Sequence, residues 1–549
     1  MKITSTINYF GRRSPVLSTC GMVASSSPQA SQFGIDILNM GGTAADAAIG
    51  MAAGLQVTMP SQTGLGGDCF ILYYSSSTQK IHALNGSGRS SKNLNMKVLR
   101  EQGLIDGIPY DHAHNVTVPG APAAWTELLN CFGRLDRQQV VSSAVRLAEA
   151  GFPVAPITAG LWKQGQKQLL KNTHGTELLL NGVAPKAGEV ICLPNLAKSL
   201  QVWAEKGSEA FYKGEIAENI ISAVQDAGGL LSADDLANHT SQWVTPISIK
   251  YRDSVIWECP PNGQGLAALI ALQLFQQFDI VAETGRHPKA TRYHLWLECM
   301  RMGFADAARY IADPDHVKIP VKELLSSAYA RERVKTLNIN TASRLVIPGV
   351  PSLGSDTIYL CTVDGEGNAC SFIGSNYMNF GTGIVPKNCG FVLQNRGAGF
   401  SFEANHPNVL SPEKRPYNTI IPGLMTNPDK SFRAVFGVMG GFMQPQGHLQ
   451  VVSGLVDDGL DPQAVLDRPR FRLTASSVKN LSAGQVYLEE GLEKIATNLS
   501  ERGHSIRLIK GQDRPVFGRG QIIQRAANGV LWGGSEPRAD GCAMAVYYK

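Results

Sequence analysis

The chain has 549 residues and a mass of 59.0 kDa, room for several domains or one large one. Hydrophobic residues make up 43% and charged residues 17%, which excludes disorder as the dominant state. Lys and Arg number 50 against 45 Asp and Glu, and a net charge of +5 is too small for a dedicated nucleic-acid or polyanion binder.

In chain order, the first feature is Arg12-Arg13, which sits where the apolar stretch of an export signal would lie. No secretory signal is therefore expected. Ser27-Pro28 reads as the cap and first turn of a helix through Met40, with Ala30, Phe33 and Ile37 on one face and Gly41-Gly42 ending it. Thr43 caps a second helix, AADAAIGMAAG, with Asp46 completing a capping-box variant. A helix so rich in Ala and Gly is expected to lie close against a flat surface such as a sheet. Cys69 to Tyr74 (CFILYY) reads as a buried strand. Residues from about 120 to about 340 read as mainly helical, as in AWTELLNCFG, SSAVRLAEAGF, LAKSLQVWAEKG and the stretch from Ala290 to Tyr310.

Near residue 340 the character changes. NTASRLVIPGVPSLGSD is polar, holds two prolines and reads as a loop. From Thr357 onward short β-rich runs dominate: TIYLCTV, ACSFIG, CGFVLQN and FRAVFGVMGG. Helices early and strands late fit either two domains or one α+β core completed late.

Asp364-Gly-Glu-Gly-Asn368 lies between TIYLCTV and ACSFIG and signals a hairpin. Pairing Asp364 with Asn368 sets a register that places Thr357 opposite Ser375. Opposed residues have Cβ atoms about 4.5–5.5 Å apart, so two hydroxyls meet at the open end. Pattern alone leaves two readings, an ordinary hairpin end or a site of chemistry. Gly440-Gly441 follows the apolar strand RAVFGVM and reads equally as a tight turn or as backbone able to approach a substrate. Asp111-His112-Ala113-His114 offers no third or fourth partner, so no metal is expected. His448 fits a supporting or a structural role. No phosphate-cradling glycine motif occurs, and no cofactor is expected. Ten cysteines without a CxxC spacing imply reduced thiols and a cytoplasmic location. No uncharged apolar run of about 18 residues occurs, so no membrane partner is expected, and the small net charge with no basic run of five or more makes nucleic acid an unexpected partner too.

The segment GSDTIYLCTVDGEGNACSFIGSNYMNFGTGIVPKNCGFVLQN resembles the self-cleavage region of the γ-glutamyltranspeptidase family. The resemblance extends through GMVASSSPQASQFGIDILNMGGTAADAAIG, NLAKSLQVWAEKGSEAFYKGEIAENI, KRPYNTIIP, VMGGFMQPQGH, DRPRFRL and GGSEPRADG, almost the whole chain. It implies a precursor that cuts itself into two subunits and folds as an N-terminal-nucleophile hydrolase, a four-layer αββα sandwich of the α+β class. The implied cut lies between Asp356 and Thr357. It gives a large subunit, 1–356, and a small one, 357–549, interlocked as a heterodimer. Thr357 would be the nucleophile and, once its α-amine is free, its own general base, since that amine titrates near about 7.7–8.0. Ser375 matches the hydroxyl that binds the freed amine, usually Thr in the family, and Gly440-Gly441 matches the glycine pair aimed at the oxyanion.

Measured against that family, the amino-acid clamp is rewritten. The position of its arginine falls near Ser87, with Arg89 two residues on; its Asn is replaced by Tyr377, its amine-binding Asp by Gly399, and its Ser-Ser pair by Asn418-Thr419. A new Arg396 appears. Arg89 and Arg396 are expected to bind a carboxylate, with Tyr377, Asn418 and Thr419 lining the site. The pattern is closest to the branch that includes oxamate amidohydrolase. The expected activity is hydrolysis of a small carboxylate-bearing amide such as oxamate. A γ-glutamyl hydrolase or transpeptidase acting on glutathione, and an unprocessed binder of small acids, are the alternatives.

Overall fold

Along the strand Ile358–Val363 every side chain is buried, yet neighbours enter different cores. Ile358 and Leu360 join a core roofed by helices, whereas Tyr359 and Cys361 enter a second core. That alternation is the two-residue period of a strand buried on both faces. The strand belongs to a seven-stranded sheet in which Cys542–Val546, Gly21–Ser25, Ile358–Val363, Ala369–Ser375, Asp68–Ser75, Lys80–Gly86 and Gln242–Val244 are neighbours in that order. A second sheet orders Val16–Ser18, Leu531–Gly534, Arg519–Arg525, Phe432–Met439, Gly423–Thr426, Ser254–Glu258 and Ile247–Tyr251. All pairings within both are antiparallel. This computed structural model describes residues 13–279, 288–343, 357–474 and 484–548.

The two sheets face each other across the core that holds Phe70, Leu72, Tyr359 and Ile373 from one and Leu424, Val435, Met439 and Ile523 from the other. The outer face of the first sheet is covered by helices that include Pro28–Asn39 and Ala44–Thr58. That of the second is covered by Gly265–Phe275, Pro288–Tyr310 and Met443–Val456. The architecture is thus a four-layer αββα sandwich. Strands from before and after residue 357 are neighbours within both sheets, so the chain is one interlocked α+β unit.

Ala44–Thr58 is buried along its whole length and packs on the hairpin strands, as its small residues predict. Its capping box is complete, Thr43 and Asp46 each accepting from the other's backbone N–H. A Cβ at Gly50 would collide with Ile37 of the preceding helix, so overpacking there is expected to cost about 1–3 kcal/mol. Two sequence expectations need correction. CGFVLQN lies outside both sheets, beginning in a turn in which Gly390 has φ 68°; its backbone bonds instead to loops, with Leu393 donating to the Ile384 carbonyl and Gln394 to that of Gly66. Helices are not confined to the early part, since Met443–Val456 and Glu493–Glu501 follow residue 357. The expected polar loop after residue 343, with Asp356, lies outside the described residues.

Candidate active site

The hairpin forms in the expected register. Ile358 pairs with Gly374 and Val363 with Ala369, and the Asp364 N–H donates to the Asn368 carbonyl at 3.0 Å. Its closed end is fixed twice. Asp364 accepts from the backbone of Glu366 and Asn368 within the turn, and from Ala44 N–H at the start of the small-residue helix at 2.9 Å. Thr362 donates its hydroxyl to the Ala44 carbonyl at 2.7 Å. With one end held, the open end is held too. There the Thr357 hydroxyl donates to Ser375 Oγ at 3.1 Å, and both residues are fully buried.

Ser375 is also opposite Asp68 on the next strand, and Cys69 pairs with Gly86 on the strand beyond. Continuing the ladders by one residue sets Thr357, Ser375, Asp68 and Ser87 in one row across four strands, on one face. Ser375 Oγ also accepts from the Tyr377 N–H at 2.8 Å. Tyr377 has φ 75°, a strained conformation for a bulky residue, and such strain persists only where surrounding contacts over-determine it.

What holds Tyr377 there includes Arg396, whose guanidinium lies over its ring at 4.3 Å. Arg396 is fully buried and donates from Nη1 to Thr419 Oγ1 at 2.8 Å. Its nearest anion is Asp68, at 3.9 Å between Nε and Oδ2, too long for a hydrogen bond. Nε and Nη2 find no hydrogen-bond partner among the described residues. Asp68 is by contrast well supplied. Oδ1 accepts from Gln394 Nε2 at 2.9 Å and Gly88 N–H at 3.1 Å, and Oδ2 accepts from Asn418 Nδ2 at 3.2 Å. Burial pushes the Asp68 carboxyl up to about 6 against the pull of Arg396 and these donors. Burial also lowers Arg396 to about 10, opposed by Asp68 and Tyr377, so it stays charged near neutral pH.

The glycine pair closes the other side. Gly440 and Gly441 have φ of 126° and 59°, conformations that a side chain disfavours. They turn the Phe432–Met439 strand into the N-terminal end of helix Met443–Val456, where backbone N–H groups and the helix dipole favour negative charge. Gln264 staples this turn to the Asn418-Thr419 loop, its Nε2 donating to the carbonyls of Thr419 and of Gly441. Behind the turn, Gly440 packs on Gly518, whose carbonyl, with that of Phe517, accepts from Arg470.

Thr357, Ser375, Tyr377, Arg396, Asn418, Thr419 and Gly441 are thus joined through consecutive contacts, with Gly440 beside them. Arg89 is not part of this network. Its guanidinium pairs with Asp315 at 2.7 Å at the surface, and Asp315 also takes the buried Arg415. Arg415 donates to the Ser87 carbonyl and so braces the end of the row. His448 is buried and bonded to Glu258 at 2.6 Å, a packing role in the second sheet's outer core. Asp111 pairs with Lys171, and His114 bonds to Gln102. Asp68 and Gln264 escaped the sequence reading. An acid opening a fully apolar strand, GGDCFILYY, was the available signal for the first; nothing marked the second.

Among the described residues one group presents three metal-ligating atoms close together: His294, Glu298 and His504. Its ring nitrogens are already committed. The Asn338 carbonyl can only accept, so His294 Nε2 carries the proton; His504 Nε2 then donates to His294 Nδ1 at 2.8 Å, leaving His504 Nδ1 to face Arg301. Burial lowers both histidines, His504 to about 2, which keeps this neutral chain intact. With an arginine beside two of its three members, the group is a hydrogen-bond relay and fits a cation poorly.

The γ-glutamyltranspeptidase family model matches residues 30–546. The chain belongs to that family. It is 34% identical over 538 residues to the glutathione hydrolase-like YwrD proenzyme of Bacillus subtilis (strain 168), covering 97% of this chain and 99% of that protein. It is 29% identical to the oxamate amidohydrolase proenzyme of Klebsiella pneumoniae, over 96% of this chain and 98% of the relative. The crystal structure of cephalosporin acylase from Bacillus halodurans is 41% identical and superposes with a TM-score of 0.91, each chain covered in full. As a γ-glutamyltranspeptidase-family member the protein is an N-terminal-nucleophile amidohydrolase or transpeptidase acting on amide bonds. Among the described residues no helix is long and apolar enough to cross a membrane.

Proposed function

We propose that the chain cuts itself between Asp356 and Thr357 and then hydrolyses a small amide that carries a carboxylate and no α-amine, oxamate being the simplest example. The observation that carries this reading is the imbalance between Arg396 and Asp68. Two buried N–H groups of Arg396 want acceptors, whereas three donors and Arg396 itself surround Asp68. A carboxylate has about four acceptor sites, so little of Asp68 remains for a substrate ammonium. A substrate carboxylate would satisfy Arg396 bidentately.

In the precursor the Thr357 hydroxyl attacks the Asp356 carbonyl, the acyl group moves from nitrogen to oxygen and so frees the α-amine, and water then hydrolyses the ester to release the Asp356 carboxylate and restore the Thr357 hydroxyl. In the mature enzyme that amine takes the hydroxyl proton as Oγ1 attacks the substrate amide carbon. Ser375 orients the Thr357 residue. The oxyanion forms beside Gly440-Gly441, where backbone N–H groups stabilise it. On collapse the amide nitrogen takes the proton from the Thr357 ammonium and leaves as ammonia, giving an acyl-enzyme ester. Water, deprotonated by the same amine, then releases the acid.

The test begins with denaturing intact mass. Wild type is expected as two chains, the smaller beginning at Thr357, and Thr357→Ala as one. Oxamate, glutathione and a cephalosporin are then assayed side by side. Oxamate turnover is expected to lead; glutathione turnover without oxamate turnover would reject the substrate assignment and favour γ-glutamyl hydrolysis, the reading that the glutathione hydrolase-like relative supports. An uncut, well-folded wild type would make the protein a binder of small acids instead.

A further inference from the structure

Asp68 lies in the same cross-strand row as Thr357 and Ser375, with Ser87 at the next place, where the family resemblance puts an arginine. The row therefore holds an anion, Asp68, and a neutral Ser87, while the buried cation beside it, Arg396, enters from a different segment. We propose that Asp68 is the specificity-determining residue of this site: it positions Arg396 for a substrate carboxylate and, with Gln394, Gly88 and Asn418 donating to it and Arg396 beside it, leaves little acceptor capacity for a substrate ammonium. The inference rests on the reading that Arg396 takes the substrate carboxylate.

Asp68 acts through Arg396 in a way that depends on its charge. When ionised it competes with an incoming carboxylate for the guanidinium; when protonated it does not. The other titratable groups near Arg396 are phenols. Tyr377 lies against it and Tyr417 and Tyr110 flank Tyr377; burial raises all three, Tyr377 to about 12, so they remain neutral across the useful range. Burial raises Asp68 itself to about 6. The freed Thr357 amine titrates higher, near about 7.7–8.0. Between about pH 5 and about 7 Asp68 is thus the group that changes charge beside the guanidinium, and anion affinity falls as pH rises.

The experiment uses the mature, self-cleaved enzyme and two probes followed by calorimetry. Oxalate offers carboxylates alone, and glutamate offers a carboxylate with an ammonium. Wild type is expected to bind oxalate more tightly than glutamate and to lose about tenfold in oxalate affinity between about pH 5 and about 7. Asp68→Asn should flatten that dependence, and Asp68→Glu should keep it. Glutamate binding tighter than oxalate in wild type, and lost in Asp68→Asn, would overturn the inference by making Asp68 an ammonium partner. So would oxalate binding with a flat wild-type profile, a result that needs no variant to fold and leaves the carboxylate reading standing. Failure of oxalate to bind wild type at any of these pH values would instead remove the carboxylate reading, and the inference with it.

Discussion

Two buried charge clusters lie on either side of the glycine turn, and they are built differently. Behind it, Arg538 holds Glu489 with two parallel contacts of 2.7 and 2.6 Å and also reaches Glu536 and the carbonyls of Leu466 and Arg468. Arg470 joins Glu536, and Arg514 joins Glu489. All five N–H donors of Arg538 are used. In front, Arg396 makes one hydrogen bond and stands 3.9 Å from its counter-ion. The first cluster has discharged its electrostatic demand within the fold; the second leaves Arg396 Nε and Nη2 without hydrogen-bond partners among the described residues. A buried charge network completed internally stiffens a turn; under the proposed reading, the incomplete one is where a substrate carboxylate would bind.

The sharpest way to break that contrast is to damage the completed cluster. Glu489→Gln removes the acceptor shared by Arg538 and Arg514 and is expected to cost about 3–5 kcal/mol. The measurement is the denaturant midpoint in the Thr357→Ala background, where the chain stays continuous; a shift under about 1 kcal/mol would refute the distinction. Arg396→Met should do the reverse. Stability is expected to stay within about 1 kcal/mol of wild type, while kcat/KM for the carboxylate amide falls by at least about 100-fold, as befits a desolvated charge contact with substrate. Self-cleavage of this variant, followed by intact mass, should persist.

Acid separates the clusters by sign. Burial would raise Glu489 and Glu536, but Arg538 with Arg514 or Arg470 outweighs it and leaves both below their usual range. Their stabilising contribution is present above the ordinary carboxylate pKa and is lost as pH falls through the lowered one. Asp68 is raised from 3.8 to about 6, so its contribution is fully present below about 3.8 and declines as pH rises through about 6. Denaturation from about pH 4 to about 7 should therefore show stability rising less steeply in wild type than in Asp68→Asn; equal slopes would count against the Asp68 assignment. The smallest effect belongs to Ser375→Ala. Loss of the hydroxyl's bond to Thr357, worth about 1 kcal/mol, should slow self-cleavage by about fivefold, with Ser375→Thr near wild type. The ratio of cut to uncut chain over time reads this directly.

Local chemistry was legible in the sequence because it is written in neighbouring residues. The helix start at Ser27-Pro28, where Ser27 makes no side-chain capping bond, the Thr43 capping box, the Asp364–Asn368 turn and the meeting of Thr357 with Ser375 each follow from a few nearby positions. The charge partners were not legible. Asp68 and Gln394 are 326 positions apart, and only the sheet order brings Asp68 beside Ser375. Arg89 looked equivalent to Arg396, yet Arg89 pairs with Asp315 at the surface while Arg396 is fully buried beside Asp68. CGFVLQN misled because strand-like composition also suits a segment held by loop contacts.

The interleaving of early and late strands bears on how the mature enzyme ages. In the first sheet Ile358–Val363 and Ala369–Ser375 lie between Gly21–Ser25 and Asp68–Ser75, so neither product of the proposed cut keeps a complete sheet. Before the cut, a thermally opened chain recloses at a rate independent of concentration. Afterwards two polypeptides, each with unpaired edges, must find one another again, and aggregation competes. The reaction that unmasks the nucleophile would therefore also retire the folding pathway. From then on, lifetime would be governed by the rate of first opening, with no second assembly from which to recover.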